Sequence, residues 1–213
     1  MTPGRTRAAG RLRATHATVA AMSILLALNA CGEADSAGDR VAQPRATPPG
    51  WTVHSDDERG YRIAHPASWH RAARPVIPLT EPREIISLST FPARYRPTNC
   101  TAFAGSAREE IGTHDVFLSI LERGSDPSRQ EWPDFPPRPV HFRPTATRQA
   151  EPGCGDRPGT TSEWLPFTDS GRHLYALIAF GREVPTQTRH DTYEILDSLH
   201  LDPAAKPTWP SSG

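Results

Sequence analysis

Proline, present 23 times in 213 residues, decides where regular structure can form in this chain. It has no amide hydrogen to give to a strand ladder, and its ring breaks helix interiors. At about twice the usual ~5% it excludes long uninterrupted helices. Regular structure should therefore sit in the proline-free windows, and the useful ones are 83–91, 98–126, 167–184 and 186–202.

Residue pattern assigns elements to these windows. Trp51–His54 and Gly60–Pro66 flank the turn-like Asp56-Asp57-Glu58-Arg59-Gly60. Tyr61, Ile63 and His65 alternate with Arg62 and Ala64, as in a strand, which Pro66 stops with Trp69 plugging one end of the core. Glu84–Phe91 reads as a second strand with Ile86, Leu88 and Thr90 on one face. Phe103, Ala107 and Ile111, four apart, predict a short helix ended by Gly112. Val116–Leu121 is almost wholly apolar, as in a central strand covered on both faces. Thr161–Phe167, the turn Thr168–Gly171 and Arg172–Phe180 form a hairpin. Thr188 with Asp191 imitates a capping box before a helix with the stripe Thr192, Ile195, Leu196 and Leu199. The fold class is α+β: an antiparallel sheet of about five to seven strands with helices packed on it, over residues 51–202, followed by a flexible tail 203–213.

The equal totals of 24 basic and 24 acidic residues hide an asymmetry. Residues 1–30 hold Arg5, Arg7, Arg11 and Arg13 and no acid, so the remainder carries 20 bases against 24 acids, a net charge of −4. No basic field argues for nucleic acid. The apolar run Ala17–Ala30 follows the arginines; its 14 residues span about 21 Å as a helix, short of the ~30 Å hydrocarbon core. A basic start and a short apolar run make 1–30 a signal peptide.

Leu28-Asn29-Ala30-Cys31 resembles the lipobox of bacterial lipoproteins, in which the cysteine is acylated and becomes the new N-terminus; Asn29 departs from the small or apolar residue usual there. The resemblance implies a lipid attached at Cys31 and a cell-membrane location on the extracytoplasmic face. The alternative is a secreted protein in which Cys31 is incidental. Residues 31–50, rich in Gly, Ala and Pro, cannot bury enough apolar surface to offset their ordering and read as a disordered tether.

With Cys31 acylated, Cys100 and Cys154 remain in an oxidising compartment, where disulfides persist. A bridge would close a loop with 53 residues between its ends, worth about 4 kcal/mol by chain entropy. Two free thiols are the other possibility. The loop contains the proline-rich stretch Trp132–Val140, which is either a stiff connector or an extended recognition segment.

Catalytic motifs are absent from the sequence. His65 and His70 are separated by a proline; His114-Asp115 and His190-Asp191 are adjacent pairs with diverging side chains; His173 lies on a strand flank. No His-Glu-x-x-His, Cys-x-x-Cys, Gly-x-Ser-x-Gly or phosphate-cradling glycine loop occurs. Glu109-Glu110 and Asp56-Asp57 read as a solvated helix face and a turn. No cofactor, metal or catalytic residue is assigned. The first functional expectation is a non-enzymatic binding or interaction domain with an unknown protein or small-molecule ligand; the second is an envelope enzyme with an unrecognised site.

Gly60-Tyr-Arg-Ile-Ala-His-Pro-Ala-Ser-Trp69 is similar to the opening Gly-aromatic-x-apolar-x-x-Pro-x-x-Trp of PsbP-like domains, including small lipoproteins of high-GC Gram-positive bacteria. Thr192–Leu201 resembles their closing helix, which runs into a short last strand. The resemblance covers both ends of 51–202 and implies an α/β/α sandwich that binds or scaffolds, with no shared catalytic residue.

Overall fold

The computed structural model describes residues 46–97, 105–124, 135–144, 148–149 and 157–205. The signal segment, most of the tether, Cys31, Cys100 and Cys154 lie outside the described residues. The elements run β1 (Trp51–Asp56), β2 (Tyr61–Pro66), β3 (His70–Arg71), β4 (Arg83–Ser89), α1 (Gly105–Glu110), β5 (Val116–Arg123), β6 (Arg148–Gln149), β7 (Thr161–Asp169), β8 (Arg172–Phe180), α2 (Thr186–Ser198) and β9 (His200–Leu201).

The architecture is α+β and its sheets are antiparallel, but there are two sheets instead of one. The large one has the order β3-β4-β5-β8-β7-β6; the small one has the order β1-β2-β9. The reason lies in the faces. Tyr61 and Ile63 of β2 form one apolar cluster with Ile86 and Leu88 of β4 and Val116, Leu118 and Ile120 of β5. Two apolar faces bury more area stacked than placed edge to edge, so the β1–β2 hairpin lies across the large sheet. Helix α2 shares that side, adding Tyr193, Ile195, Leu196 and Leu199. On the other side of the large sheet, Phe117, Leu121, Tyr175 and Leu177 pack beneath Val76, Ile77, Ala107 and Ile111. Strands β5 and β8 are therefore covered on both faces, which is why their sequences are nearly continuous apolar runs.

Two devices fix the hairpin on the large sheet. A register shift between Glu84 and Ile86 places Ile85 in a bulge of β4. A bulge takes a residue out of regular pairing; here the Ile85 carbonyl accepts from Arg59 Nη1 at 3.1 Å and Tyr61 Oη at 3.3 Å. The second device is the buried ion pair of Arg172 and Glu122, whose guanidinium also donates to the carbonyls of Arg59 and Gly60 at 3.0 and 3.2 Å.

Helix α2 begins at Thr186 behind Pro185 and has no side-chain cap, so the expected capping box of Thr188 and Asp191 does not form. Both residues lie inside the helix, where Gln187 Nε2 donates to Asp191 Oδ1 at 2.7 Å and the Thr188 carbonyl accepts from Thr192 Oγ1. At the other end the Ser198 hydroxyl stands beside β2: it accepts the Ala64 amide at 2.9 Å and lies 3.0 Å from the Ala64 carbonyl, occupying the place of a strand rung. Strand β9 follows at once and pairs with Tyr61 and Arg62.

The β7–β8 hairpin turns on Ser170 and Gly171, with φ of 51° and 73°. Positive φ at both central residues matches the twist of the flanking strands, so β7 continues to Asp169, two residues beyond the sequence expectation. Strand β7 also contains Pro166, outside the proline-free windows. The pairing of Pro166 with Tyr175 is on the β8 side, while β6 reaches only Trp164 and Glu163.

The described part of the proline-rich segment, 135–144, is a strap along β7. Pro137 makes a parallel bridge to Thr168, whose amide donates to the Pro136 carbonyl at 2.7 Å and whose carbonyl accepts the Arg138 amide at 2.9 Å. Arg138 then crosses to the end of α2. Its Nη1 donates to Leu199 O at 2.6 Å and Asp169 Oδ2 at 2.7 Å, and its Nη2 to Leu196 O at 2.8 Å and Asp197 O at 3.0 Å. The cation sits where a helix exposes unsatisfied carbonyls and partial negative charge. Phe142 closes the strap over Phe167, ring centroids 5.1 Å apart.

Candidate binding site at the seam of the two sheets

The candidate site follows from the register of two edge strands. Cross-strand partners point to the same face. His54 of β1 is opposite Ile63, a core residue, so its imidazole faces the large sheet. Arg71 of β3 is opposite Leu88, also a core residue on that side, so its guanidinium faces the small sheet. The two side chains converge on the seam between the sheets, and Arg71 acts electrostatically on both His54 and Tyr61. His70, opposite Ser89, projects to the other side.

His54 is half-buried, its ring edge-on to Tyr61 at 5.8 Å. Burial lowers its pKa first; Arg71 and His65 lower it further, while Asp56 opposes them. His65 is buried on the same face and its Nδ1 lies 3.0 Å from the Pro66 carbonyl. Asp56 accepts the Arg59 amide at 3.0 Å and lies 3.8 Å from its guanidinium. Tyr61, pushed up chiefly by burial, donates to Ile85 O. Neither ring nitrogen of His54 has a hydrogen-bond partner among the described residues, and Arg71 has no ion pair there.

The other sequence candidates are engaged elsewhere. His114 Nδ1 is 2.8 Å from Glu183 O, and Asp115 accepts from Thr90 Oγ1 and the Gly112 amide, both at 2.9 Å. His190 lies 3.4 Å from Glu194, one helical turn on. His173 is exposed with Phe135 4.9 Å away, and Phe135 and Trp164 lie 4.7 and 4.6 Å from Tyr175 in an aromatic row. Burial pushes the Tyr175 phenol up to about 12. Glu109 is exposed, and Glu110 pairs with Arg96 at 2.7 Å. No group of three or more His, Cys, Asp or Glu side chains among the described residues could hold a metal ion.

Three carboxylates are buried among the described residues, and each is bound by the fold. Glu84 Oε2 accepts the amides of Val76 and Ile77 at 2.8 and 2.7 Å, holding the loop that covers one face of the large sheet. Glu122 pairs with Arg172. Glu163 accepts from Tyr193 Oη at 2.5 Å, joining β7 to α2. Desolvation raises the pKa of Glu84 and Glu163, and it is also the first cause of the rise at Tyr193. Each of these carboxylates is already bonded to backbone amides, an arginine or a phenol and so holds elements together.

No protein-family model matches this chain, and no curated protein matches it.

Proposed function

We propose that this is an exported lipoprotein, anchored through Cys31 on the extracytoplasmic face of the cell membrane, whose PsbP-like α/β/α domain binds a ligand and catalyses no reaction. Cys100 and Cys154 form its disulfide. The anchor rests on the basic start, the 14-residue apolar run and Leu28-Asn29-Ala30-Cys31. The binding reading rests on one contrast within the domain. Its buried carboxylates are committed to structural hydrogen bonds, whereas His54 and Arg71 converge at the seam with donor capacity to spare.

Detergent phase partitioning tests the anchor. Wild type is expected in the detergent phase and Cys31→Ala in the aqueous phase, because diacylation holds a protein at a bilayer where a single chain is marginal. Wild type recovered only in the aqueous phase overturns it.

A further inference from the structure

The groups facing the seam are unbalanced in charge. From the small sheet come His54, His65, Asp56, Arg59 and Tyr61; from the large sheet come Arg71 and, under the hairpin turn, the closed ion pair of Arg172 and Glu122. Both carboxylates are neutralised: Asp56 is held by the amide and guanidinium of Arg59, and Glu122 by the guanidinium of Arg172. The Arg59 guanidinium also donates to Ile85 O, and His65 is engaged with the Pro66 carbonyl. Asp57 and Glu58 are exposed in the turn beyond Asp56. What remains is an exposed guanidinium with its planar fork of donors and a half-buried imidazole, neither with a hydrogen-bond or ion-pair partner among the described residues.

We infer that the seam binds a phosphate-type oxyanion, gripped by the Arg71 fork from the large sheet and the His54 imidazole from the small one. The inference rests on the binding reading above and names the ligand class of that site. Arginine presents a bidentate array matched to oxyanions, and hydrogen bonds between charged partners are the strong ones. A tetrahedral oxyanion is favoured over a carboxylate by the direction of approach. An arginine fork takes one lone pair on each oxygen of a carboxylate and leaves acceptor sites only in the same plane, while a tetrahedral phosphate keeps further oxygens outside that plane for a donor arriving from the opposite sheet. Such an anion reverses the field that Arg71 and His65 impose on His54. Free phosphate and the phosphate of an anionic lipid headgroup share this chemistry, and a membrane-anchored domain meets both.

The test follows the His54 imidazole by NMR in the full acylated protein. One arm adds inorganic phosphate to the protein in detergent micelles. A second compares nanodiscs of phosphatidylcholine with nanodiscs containing phosphatidylglycerol. An opposite charge at hydrogen-bonding distance should move the titration midpoint of His54 upward by about one pH unit. A shift with inorganic phosphate identifies a free phosphate ligand; a shift confined to phosphatidylglycerol identifies a headgroup. Arg71→Ala should weaken the effect about tenfold or more in apparent Kd, with Arg71→Gln in reserve if the alanine variant does not fold. Arg62→Ala, on the outer face of the small sheet opposite His200, should leave it unchanged. No shift in either arm, or a shift that survives Arg71→Ala, overturns the inference. A protein that partitions into detergent without any His54 response keeps its anchor and loses the phosphate; an aqueous protein that still responds does the reverse.

Discussion

Arg172 and Glu122 form a two-point ion pair under the turn of the β1–β2 hairpin, Nε to Oε1 at 2.5 Å and Nη2 to Oε2 at 2.9 Å. Both are buried. Breaking a buried pair from one side strands a desolvated charge, at a cost of about 3–5 kcal/mol. Arg172→Met and Glu122→Leu are each expected to lower stability by about that much, because each leaves its partner uncompensated. The double variant should recover a large part of the loss, since a well-packed apolar pair carries no desolvation penalty. Urea unfolding of the four proteins, treated as a double-mutant cycle, checks this.

Arg138→Ala should cost about 2 kcal/mol, the upper range for a cation at a helix C-terminus. The hydrogen exchange of the Arg138 and Thr168 amides, which join the strap to β7, should accelerate while that of β5 and β8 does not. Arg138→Lys is expected to restore less than half of the loss, because an ammonium cannot address three main-chain carbonyls and Asp169 with a planar fork.

Gly181→Ala should be among the most destabilising conservative changes in the domain. A methyl group built on Gly181 would stand 2.1 Å from the Gly112 carbonyl oxygen and 2.5 Å from that of Thr113. Backbone on both sides must move, and Gly181 N donates to Asp115 O at 2.8 Å in the same contact. The expected loss is about 3 kcal/mol, typical of overpacking, measurable as a fall in Tm.

The pH dependence of stability carries the sign of Glu84 and Glu163, both held above the usual carboxylate range by burial. When the folded state holds a proton more tightly than the unfolded state, the stabilisation is fully present below the unfolded pKa. It is lost as pH rises through the folded one. These two groups therefore make the domain less stable as pH rises through their elevated titrations. Glu84→Gln keeps an amide oxygen for the Val76 and Ile77 amides and removes the ionisation, so its stability relative to wild type should improve from pH 4.5 to pH 8. An unchanged difference across that range would remove Glu84 from the account.

Mass spectrometry with alkylation before and after reduction should find Cys100 and Cys154 protected until reductant is added. Two thiols alkylated without reductant would show that the pair is open.

Local signals survived best where neighbours in sequence are also neighbours in space. The runs Val116–Leu121 and Arg172–Phe180 read as doubly covered strands because burial on both faces removes alternation, and both are such strands. The final helix was legible from Thr192, Ile195 and Leu196, all buried. Its start was not, because Thr188 and Asp191 carry the residue types of a cap without the backbone position of one. The division into two sheets was hidden as well. Alternation in Tyr61–His65 reports an apolar face and says nothing about whether that face meets a strand edge or another sheet. The strap looked like a stiff connector or a recognition segment; its tie to α2 spans 58 to 61 residues, beyond the reach of any local pattern. The seam escaped for the same reason. His54 and Arg71 acquire meaning only when two edges are brought together, and neither sits in a motif.

The small sheet joins the first strands of the domain to its last. Tyr61 pairs with Leu201, and the Ser198 hydroxyl completes the edge of Ala64. The β1–β2 hairpin therefore has no third strand until the C-terminal end of the domain has emerged. Folding of this topology is late by construction, since its closing contact bridges nearly the whole domain. The order in which the strands are written leaves the hairpin without its third strand until β9 is available to shut the fold.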